Sequence, residues 1–399
     1  MNHMKKFQAI IVGGGMVGLS CAKGLSDCGI DVAIIEKNIP DLEFENKKSD
    51  LRVSAINRAS EHLLEDLGVW QAISQMPITA YDQMRVWDEN SSGMITMQAG
   101  ELGERELGFI IENRIIIKAL WQSLKESNVI IFAPNYIKSL DKNNQAQWKI
   151  TLDDDTSIQA DLLIGADGAR SWLREKLDFK LKQKPYNQHG VVAEIKTDRM
   201  HQQTAYQRFL KTGPLAFLPL VKNDHCSIVW STTPELAKHY LEIDEKSFND
   251  ELSKSFEFYL GHCEVQSKRV QFPLVEQHVE DYVKEGVVLI GDAAHVIHPL
   301  AGQGVNQGFR DVEVLVNVLK EAHQKGRLLS NLSLLKEYER QRRWHNQLLI
   351  WAMQAFKTGF SNQSKILSFI RGKGLNFVDQ KKLLKRFFMM QAMGKKGLF

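Results

Sequence analysis

The sequence predicts an α/β fold in which a parallel-sheet domain is interrupted by a mainly antiparallel β-sheet segment, and the chain ends in helices. Three observations predict it. A strand, a glycine turn, a helix and a second strand occupy residues 7–36. Short alternating runs, as in strands with one face on a core, fill much of 186–275. A glycine-marked apolar strand then returns at 286–290 and leads into long helical patterns. At 399 residues the chain exceeds the ~250–300 at which one core stops growing, so two joined domains are expected. The first is read as discontinuous, over 1–75, 100–185 and 276–345. The second takes 76–99 and 186–275, and residues 346–399 form a basic amphipathic helical tail.

The opening run is Ile10-Ile11-Val12-Gly13-Gly14-Gly15-Met16-Val17-Gly18. It has G-x-G-x-x-G spacing at Gly13, Gly15 and Gly18, after a strand from Phe7 to Val12 and before an apolar helix from Met16 to Cys28. A sharp turn, a close backbone approach to a pyrophosphate and tight helix–sheet packing each require a glycine. The helix N-terminus presents free N–H groups to phosphate. A second strand, Asp31 to Ile35, ends at Glu36, close to the offset of roughly 20 residues at which an acid receives ribose hydroxyls. A glycine-rich turn that binds nothing would explain the spacing but not the strand, helix and acid around it. The motif does not separate NAD from FAD.

Next come a polar loop (Asn38 to Asp50), a helix with Ala59, Leu63, Leu64 and Leu67, and the alternating segment Gln83 to Trp87. A helix is expected at Asn113 to Ser127 and strands near 129–133, 147–152 and 161–165. The antiparallel segment includes Val191 to Thr197, Leu215 to Val221 and Cys226 to Thr232. A middle motif, Gly165-Ala166-Asp167-Gly168-Ala169-Arg170-Ser171, ends a strand in a turn, with Ser171 placed to cap the next helix. The last motif runs from Gly291-Asp292-Ala293-Ala294-His295 through His298-Pro299 to Gly302-Gln303-Gly304-Val305-Asn306-Gln307-Gly308. Asp292 stands at a strand end, ready to accept from hydroxyls. Pro299 and two glycines ahead of a helix (about Val305 to Ala322) offer bare backbone to a flat ring, and the helix dipole favours negative charge there. His295 and His298 are spaced i, i+3 but lack Cys or carboxylate companions. They read as loop and packing residues rather than metal ligands, so no metal is expected.

Basic and acidic residues nearly balance, 51 against 48, which gives no basis for a nucleic-acid partner. Residues 371–399 nevertheless carry eight Lys/Arg against one acid, net +7, leaving −4 for the rest. Cys21, Cys28, Cys226 and Cys263 form no C-x-x-C pair and suit a reducing cytosol. Met4-Lys5-Lys6 before an apolar stretch mimics a signal peptide, but that stretch is the first strand. No run approaches the ~18 apolar residues of a membrane span. A cytoplasmic protein is expected, peripheral on the inner membrane if the tail binds lipid.

Together these motifs resemble the group A flavin monooxygenases, the single-component aromatic hydroxylases. Leu51 to Asn57, Leu67 to Trp70, Gly165 to Ser171 and Gly291 to Asn306 are most similar to the ubiquinone-biosynthesis hydroxylase family. Ser171 to Arg174, Leu215 to Leu220 and Cys226 to Ser231 look most like its branch that hydroxylates 2-polyprenylphenols at ring position five. The resemblance covers residues 7–350 clearly and the tail loosely. It implies a Rossmann-like FAD-binding domain with an inserted substrate domain and a helical C-terminal region.

It further implies tightly bound FAD, transient NAD(P)H, and O2 as co-substrate, acting through a flavin C4a-hydroperoxide. By the same resemblance Gly13, Gly15, Met16 and Gly18 hold the pyrophosphate and Glu36 the adenosine ribose. Arg52 and Arg114 flank the phosphates and ribityl chain, and Asp292 binds that same region. Pro299, Gly302, Gln303, Gly304, Val305 and Asn306 line the flavin. Asp167 belongs to a motif associated with both FAD and NAD(P)H. Arg170 and Gln307 depart from the family pattern, which expects a smaller polar residue and an aliphatic one. No catalytic base is identified.

A greasy route for a polyprenylphenol is expected among Phe217, Leu218, Leu220, Val229 and Trp230. The tail, with Leu383, Leu384, Phe387, Phe388, Met389, Met390 and Met393 amid lysines, suits an interfacial helix, a helix docking on a biosynthetic complex, or one packed on its own domain. Homo-oligomerisation stays open. So do another ring-position hydroxylase of the pathway, a same-fold flavin reductase and a non-catalytic FAD-bound subunit. No W-x-W-x-I-P signature supports a halogenase.

Overall fold

The computed structural model describes residues 5–44, 50–89, 93–143, 145–296, 304–344, 346 and 381–394. Its first sheet has eight strands. The parallel centre runs Val287–Leu289, Ser157–Gly165, Lys5–Val12, Val32–Ile35 and Ile130–Phe132. Parallel strands covered on both faces read as unbroken apolar runs, and Ala9 to Ile11, Ala33 to Ile34 and Leu162 to Ile164 have no exposure. The register sets Val12 beside Ile35 and Gly165, and Gly165 beside Leu289. Four strands thus end level on one edge, where ligands bind in open α/β sheets.

The helix Met16–Asp27 lies against this sheet and against Gly304–Gln324. That crossing is close: a Cβ on Gly308 would stand 2.5 Å from a Val17 methyl. Strand and helix ends differ from the sequence reading by a few residues, as frayed termini do.

The second sheet has nine strands. They run His295–Val296, Val270–Val279, Leu181–Thr197, His225–Thr232, Gly213–Pro219, Thr204–Leu210, Gln83–Asp88 and Met94–Gln98, with Cys263–Val265 added to Leu181–Thr197. Strand Val270–Val279 crosses the boundary expected at 275/276, and His295–Val296 pairs with it. One face packs Phe217, Trp230, Phe248, Phe256 and neighbours under helices Pro234–Glu242 and Glu245–Ser255. The sequence reading missed both helices, although Thr233 and Asp244 cap them through Leu236 N–H and Ser247 N–H. The other face packs Ala205, Ala216 and Leu218 with Ala55, Tyr81 and Ile110 of a three-stranded sheet, Val53–Asn57, Gly108–Glu112 and Thr79–Tyr81.

The C-terminal helix Lys382–Ala392 joins that second apolar cluster through Met389 and Met393, each 1% exposed. Lys385 pairs with Glu101 at 2.8 Å, and Met393 C=O accepts from Ala59 N–H. This helix is therefore docked on its own chain. Among the described residues no helix is long and apolar enough to cross a membrane, and no group of three or more His, Cys, Asp or Glu is placed to hold a metal.

Candidate cofactor and active site

At the level edge of the first sheet the three motifs converge. Gly13 adopts φ +111°, and a Cβ there would lie 2.4 Å from the Ala166 carbonyl oxygen. A Cβ on Gly18 would lie 2.0 Å from the Gly13 carbonyl oxygen. Both glycines are demanded by the protein's own packing. Gly15 is different: a Cβ there meets nothing within 4 Å, and the residue is exposed. Among the described residues nothing requires a glycine at that position, so the open space before it is what the bare backbone serves. Gly15 N-caps the helix without a side-chain cap, and the first turn holds no acid, leaving N–H groups and the positive dipole end facing outward. Met16 beside it is half-buried. Glu36 reaches back to the same loop, its carboxylate accepting from Gly14 N–H and, at 2.9 Å, from Asn38 N–H.

The middle motif turns at Gly168, φ +82°. Ser171 Oγ accepts from Arg174 N–H at 3.0 Å and so caps helix Trp172–Lys176. Asp167 accepts from Leu173 N–H through Oδ2, while among the described residues its buried Oδ1 has no partner. Burial pushes the Asp167 pKa up. Arg174, buried, binds the motifs together: it donates to Ala169 C=O at 2.8 Å and to Ala293 C=O at 3.0 Å. Asp292, on the turn Gly291–Ala293, is open to solvent yet set deep enough that desolvation raises its pKa against the opposing charge of His295.

Beneath Asp292 lies a polar network that sequence reasoning missed. Asp311, fully buried on helix Gly304–Gln324, accepts from Gly291 N–H at 2.8 Å. It also holds His295 Nε2 at 2.6 Å and Arg342 Nε at 2.5 Å. Burial raises its carboxyl pKa, but His295 and Arg342 outweigh that and hold it below the usual carboxylate range. Arg342, on the helix 332–344, continues to Gln307 and Asn346, and Asn346 donates to Tyr282 Oη. Gln307, one departure from the family pattern, is therefore a second-row support for Arg342. Arg170, the other, is exposed. The legible signal for Asp311 was an acid inside an apolar helix face, between Gly308 and Phe309 on one side and Val312 and Leu315 on the other.

Arg52 and Arg114 come together because Arg52 C=O accepts from Asn113 N–H at 2.9 Å. Arg52 is exposed. Arg114 is drawn to Glu112 at 2.5 Å and lies 4.4 Å from the Phe44 ring. Asn306 is buried, its amide donating to Ala55 C=O at 2.8 Å and accepting from Asn57 N–H at 3.2 Å. The side chain thus ties the helix start to strand Val53–Asn57, where Gly304 is exposed and Val305 half-buried. Pro299, Gly302, Gln303 and His298 lie outside the described residues. Of the expected greasy route, Phe217 and Trp230 sit under the helices, whereas Leu218, Leu220 and Val229 belong to the opposite cluster.

An open glycine, an uncapped helix N-terminus and an orphaned buried carboxylate oxygen fit a dinucleotide laid along this edge. The comparisons name it. Residues 6–352 match the profile of the FAD binding domain family. The 3-demethoxyubiquinol 3-hydroxylase of Escherichia coli (strain K12) is 35% identical, over 96% of this chain and 97% of that one. The ubiquinone hydroxylase UbiL of Rhodospirillum rubrum is 33% identical over 98% and 90%. This chain belongs to the FAD-dependent hydroxylases of ubiquinone biosynthesis. Human mitochondrial COQ6, a ubiquinone biosynthesis monooxygenase, is 32% identical over 97% and 92%. Among solved structures, p-nitrophenol 4-monooxygenase PnpA of Pseudomonas putida shares the fold, with a TM-score of 0.78 at 17% identity over 99% of this chain and all of that one. The hydroxylase is an FAD-dependent monooxygenase, and Gly13 to Gly18, Glu36, Asp167 and Asp292 are the groups with which it would hold FAD.

Proposed function

We propose that this hydroxylase oxidises the aromatic ring of a polyprenylated phenol on the route to ubiquinone, with NAD(P)H and O2 as co-substrates. One observation carries the reading. The apolar face of the large sheet (Ala205, Ala216, Leu218) closes onto Ala55, and Ala55 C=O is gripped by Asn306 at the helix start beside the flavin-lining motif. An apolar cluster therefore adjoins the helix start at Asn306, the end of the site that the resemblance assigns to the flavin. FAD, when bound, takes electrons from NAD(P)H and activates O2 for transfer to the ring. The chain's own residues bind and orient: helix N–H groups answer the pyrophosphate charge, Glu36 and Asp292 accept from hydroxyls, and the apolar walls keep water from the reacting atoms. His295, buried and held by Asp311, serves that scaffold and is not free to act as a base.

The test is substrate-stimulated NAD(P)H oxidation with a short-chain 2-polyprenylphenol. A hydroxylase consumes O2 and yields the hydroxylated ring. A reductase yields neither, and a non-catalytic subunit shows no stimulation. Ring position five is supported by the resemblance of Ser171 to Arg174, Leu215 to Leu220 and Cys226 to Ser231 to that branch of the family. A second reading, position three, is favoured by the name of the Escherichia coli relative. Mass spectrometry of the quinone intermediate that accumulates in a deletion strain distinguishes the two. We also propose that the basic tail makes a peripheral contact, with a lipid surface or with partner enzymes.

A further inference from the structure

Gln207 is a polar side chain that the protein buries without satisfying. It is 3% exposed, and among the described residues its Oε1 has no hydrogen-bond partner. A buried acceptor left alone destabilises the fold, so its persistence calls for a use. Its setting narrows that use. Gln207 stands opposite Val86 on one side and Ala216 on the other. The same row continues to Ile95 in one direction and to Val229, Val192 and Val270 in the other. Register partners share a sheet face, so one amide interrupts an otherwise apolar row.

The face is the one turned away from the two covering helices. Tyr206 and Leu215, of the opposite parity, pack with Phe248 and Phe256. Ala205 and Ala216 pack with Ala55 and Ile110, beside the strand that Asn306 grips. Burial also grades along the row. Gln207 and Ala216 are buried, Val229 and Val192 half-buried, and Val270, 44% exposed, reaches the surface. From Gln207 to Val270 is four strand spacings of about 4.8 Å, or ~19 Å. A buried hydrogen-bond acceptor from which an apolar run leads out to the surface fits a ligand with one O–H donor on a ring and a hydrocarbon chain.

We propose that Gln207 orients the substrate, its amide oxygen accepting the hydrogen bond of the ring hydroxyl while the prenyl chain follows Ala216, Val229 and Val192 toward Val270. This rests on the polyprenylphenol reading above. Such a bond enriches the ring in electrons and fixes which carbon faces the flavin. An apolar replacement removes the acceptor but also removes an unsatisfied buried group, so binding and stability move in opposite directions.

The test titrates the FAD-loaded enzyme and its Gln207→Leu and Gln207→Met variants with 2-geranylphenol and with its methyl ether, which lacks the donor. Wild type is expected to prefer the phenol by about tenfold. Both variants should bind phenol and ether alike, keep their FAD and show an unchanged or raised Tm. Retained preference in the variants overturns the proposal while leaving the polyprenylphenol reading intact. Variants that lose Tm and FAD together show a structural role and overturn it too. Wild type that binds neither probe overturns the polyprenylphenol reading, and the proposal with it.

Discussion

Gly13, Gly15 and Gly18 look interchangeable in the sequence but answer to different forces. For Gly18 the nearest obstacle is backbone at 2.0 Å, which cannot yield, so Gly18→Ala is expected to destabilise the fold by about 1–3 kcal/mol. At Gly15 an added Cβ meets no described atom within 4 Å, which makes Gly15→Ala the probe of the ligand side. Gly15→Ala should leave the apoprotein Tm unchanged while weakening FAD binding about tenfold or more, read by thermal unfolding and by FAD titration of the apoprotein. Glu61 makes a second residue-scale case. It is 3% exposed, and burial lifts its carboxyl to about 7 against the pull of Arg58. A carboxyl raised in the fold is easier to keep protonated there than in the unfolded chain. Its contribution is therefore full below the ordinary carboxylate range and declines as pH rises through about 7. Glu61→Gln should match wild type in Tm near pH 4 and gain on it progressively toward pH 8, in a pH series of unfolding curves.

Among elements, the junction of turn Gly291–Ala293 with helix Gly304–Gln324 depends on one carboxylate. Asp311 collects a backbone N–H, His295 and Arg342. Removing its charge leaves the Arg342 guanidinium buried without a counter-ion, which costs about 3–5 kcal/mol. Asp311→Asn is expected to lower Tm and FAD affinity together. The double variant Asp311→Asn with Arg342→Met should recover part of the Tm but not the FAD affinity, because the hold on the Gly291 turn is still altered. Recovery of both would make the network purely structural. The sequence showed the turn and the helix but not this bond, because its members lie sixteen and thirty-one residues apart along the chain and follow no spacing rule. Similarly, helices Pro234–Glu242 and Glu245–Ser255 carried their caps, Thr233 and Asp244, in plain view. They were read as sheet because strands of alternating pattern surround them.

On the scale of the whole molecule, the C-terminal helix changes meaning. In sequence its methionines and lysines suit a lipid surface. In the structure Met389 and Met393 fill the cluster shared by the large and three-stranded sheets, and Lys385 is paired with Glu101. Arg386 and Phe387, 38% exposed, remain on the outside. A chain truncated after Gln380 is expected to unfold at lower temperature, since the apolar cluster around Leu107 and Ile110 loses part of its cover. If the tail also makes a peripheral contact, the truncated protein will sediment less with anionic liposomes. Unchanged sedimentation refutes the lipid contact without touching the packing role.

Local chemistry determined the cofactor end of this protein. Turn glycines, the acid closing the second strand and the capping Ser171 act over a few residues, so their spacing is written directly in the chain. Tertiary structure alone decided what lies between the motifs: Arg174 clamping Ala169 to Ala293, Asp311 beneath Asp292, and Gln207 as the one amide in an apolar row. Those roles come from groups distant in sequence being buried together, where an unpaired charge or acceptor becomes costly.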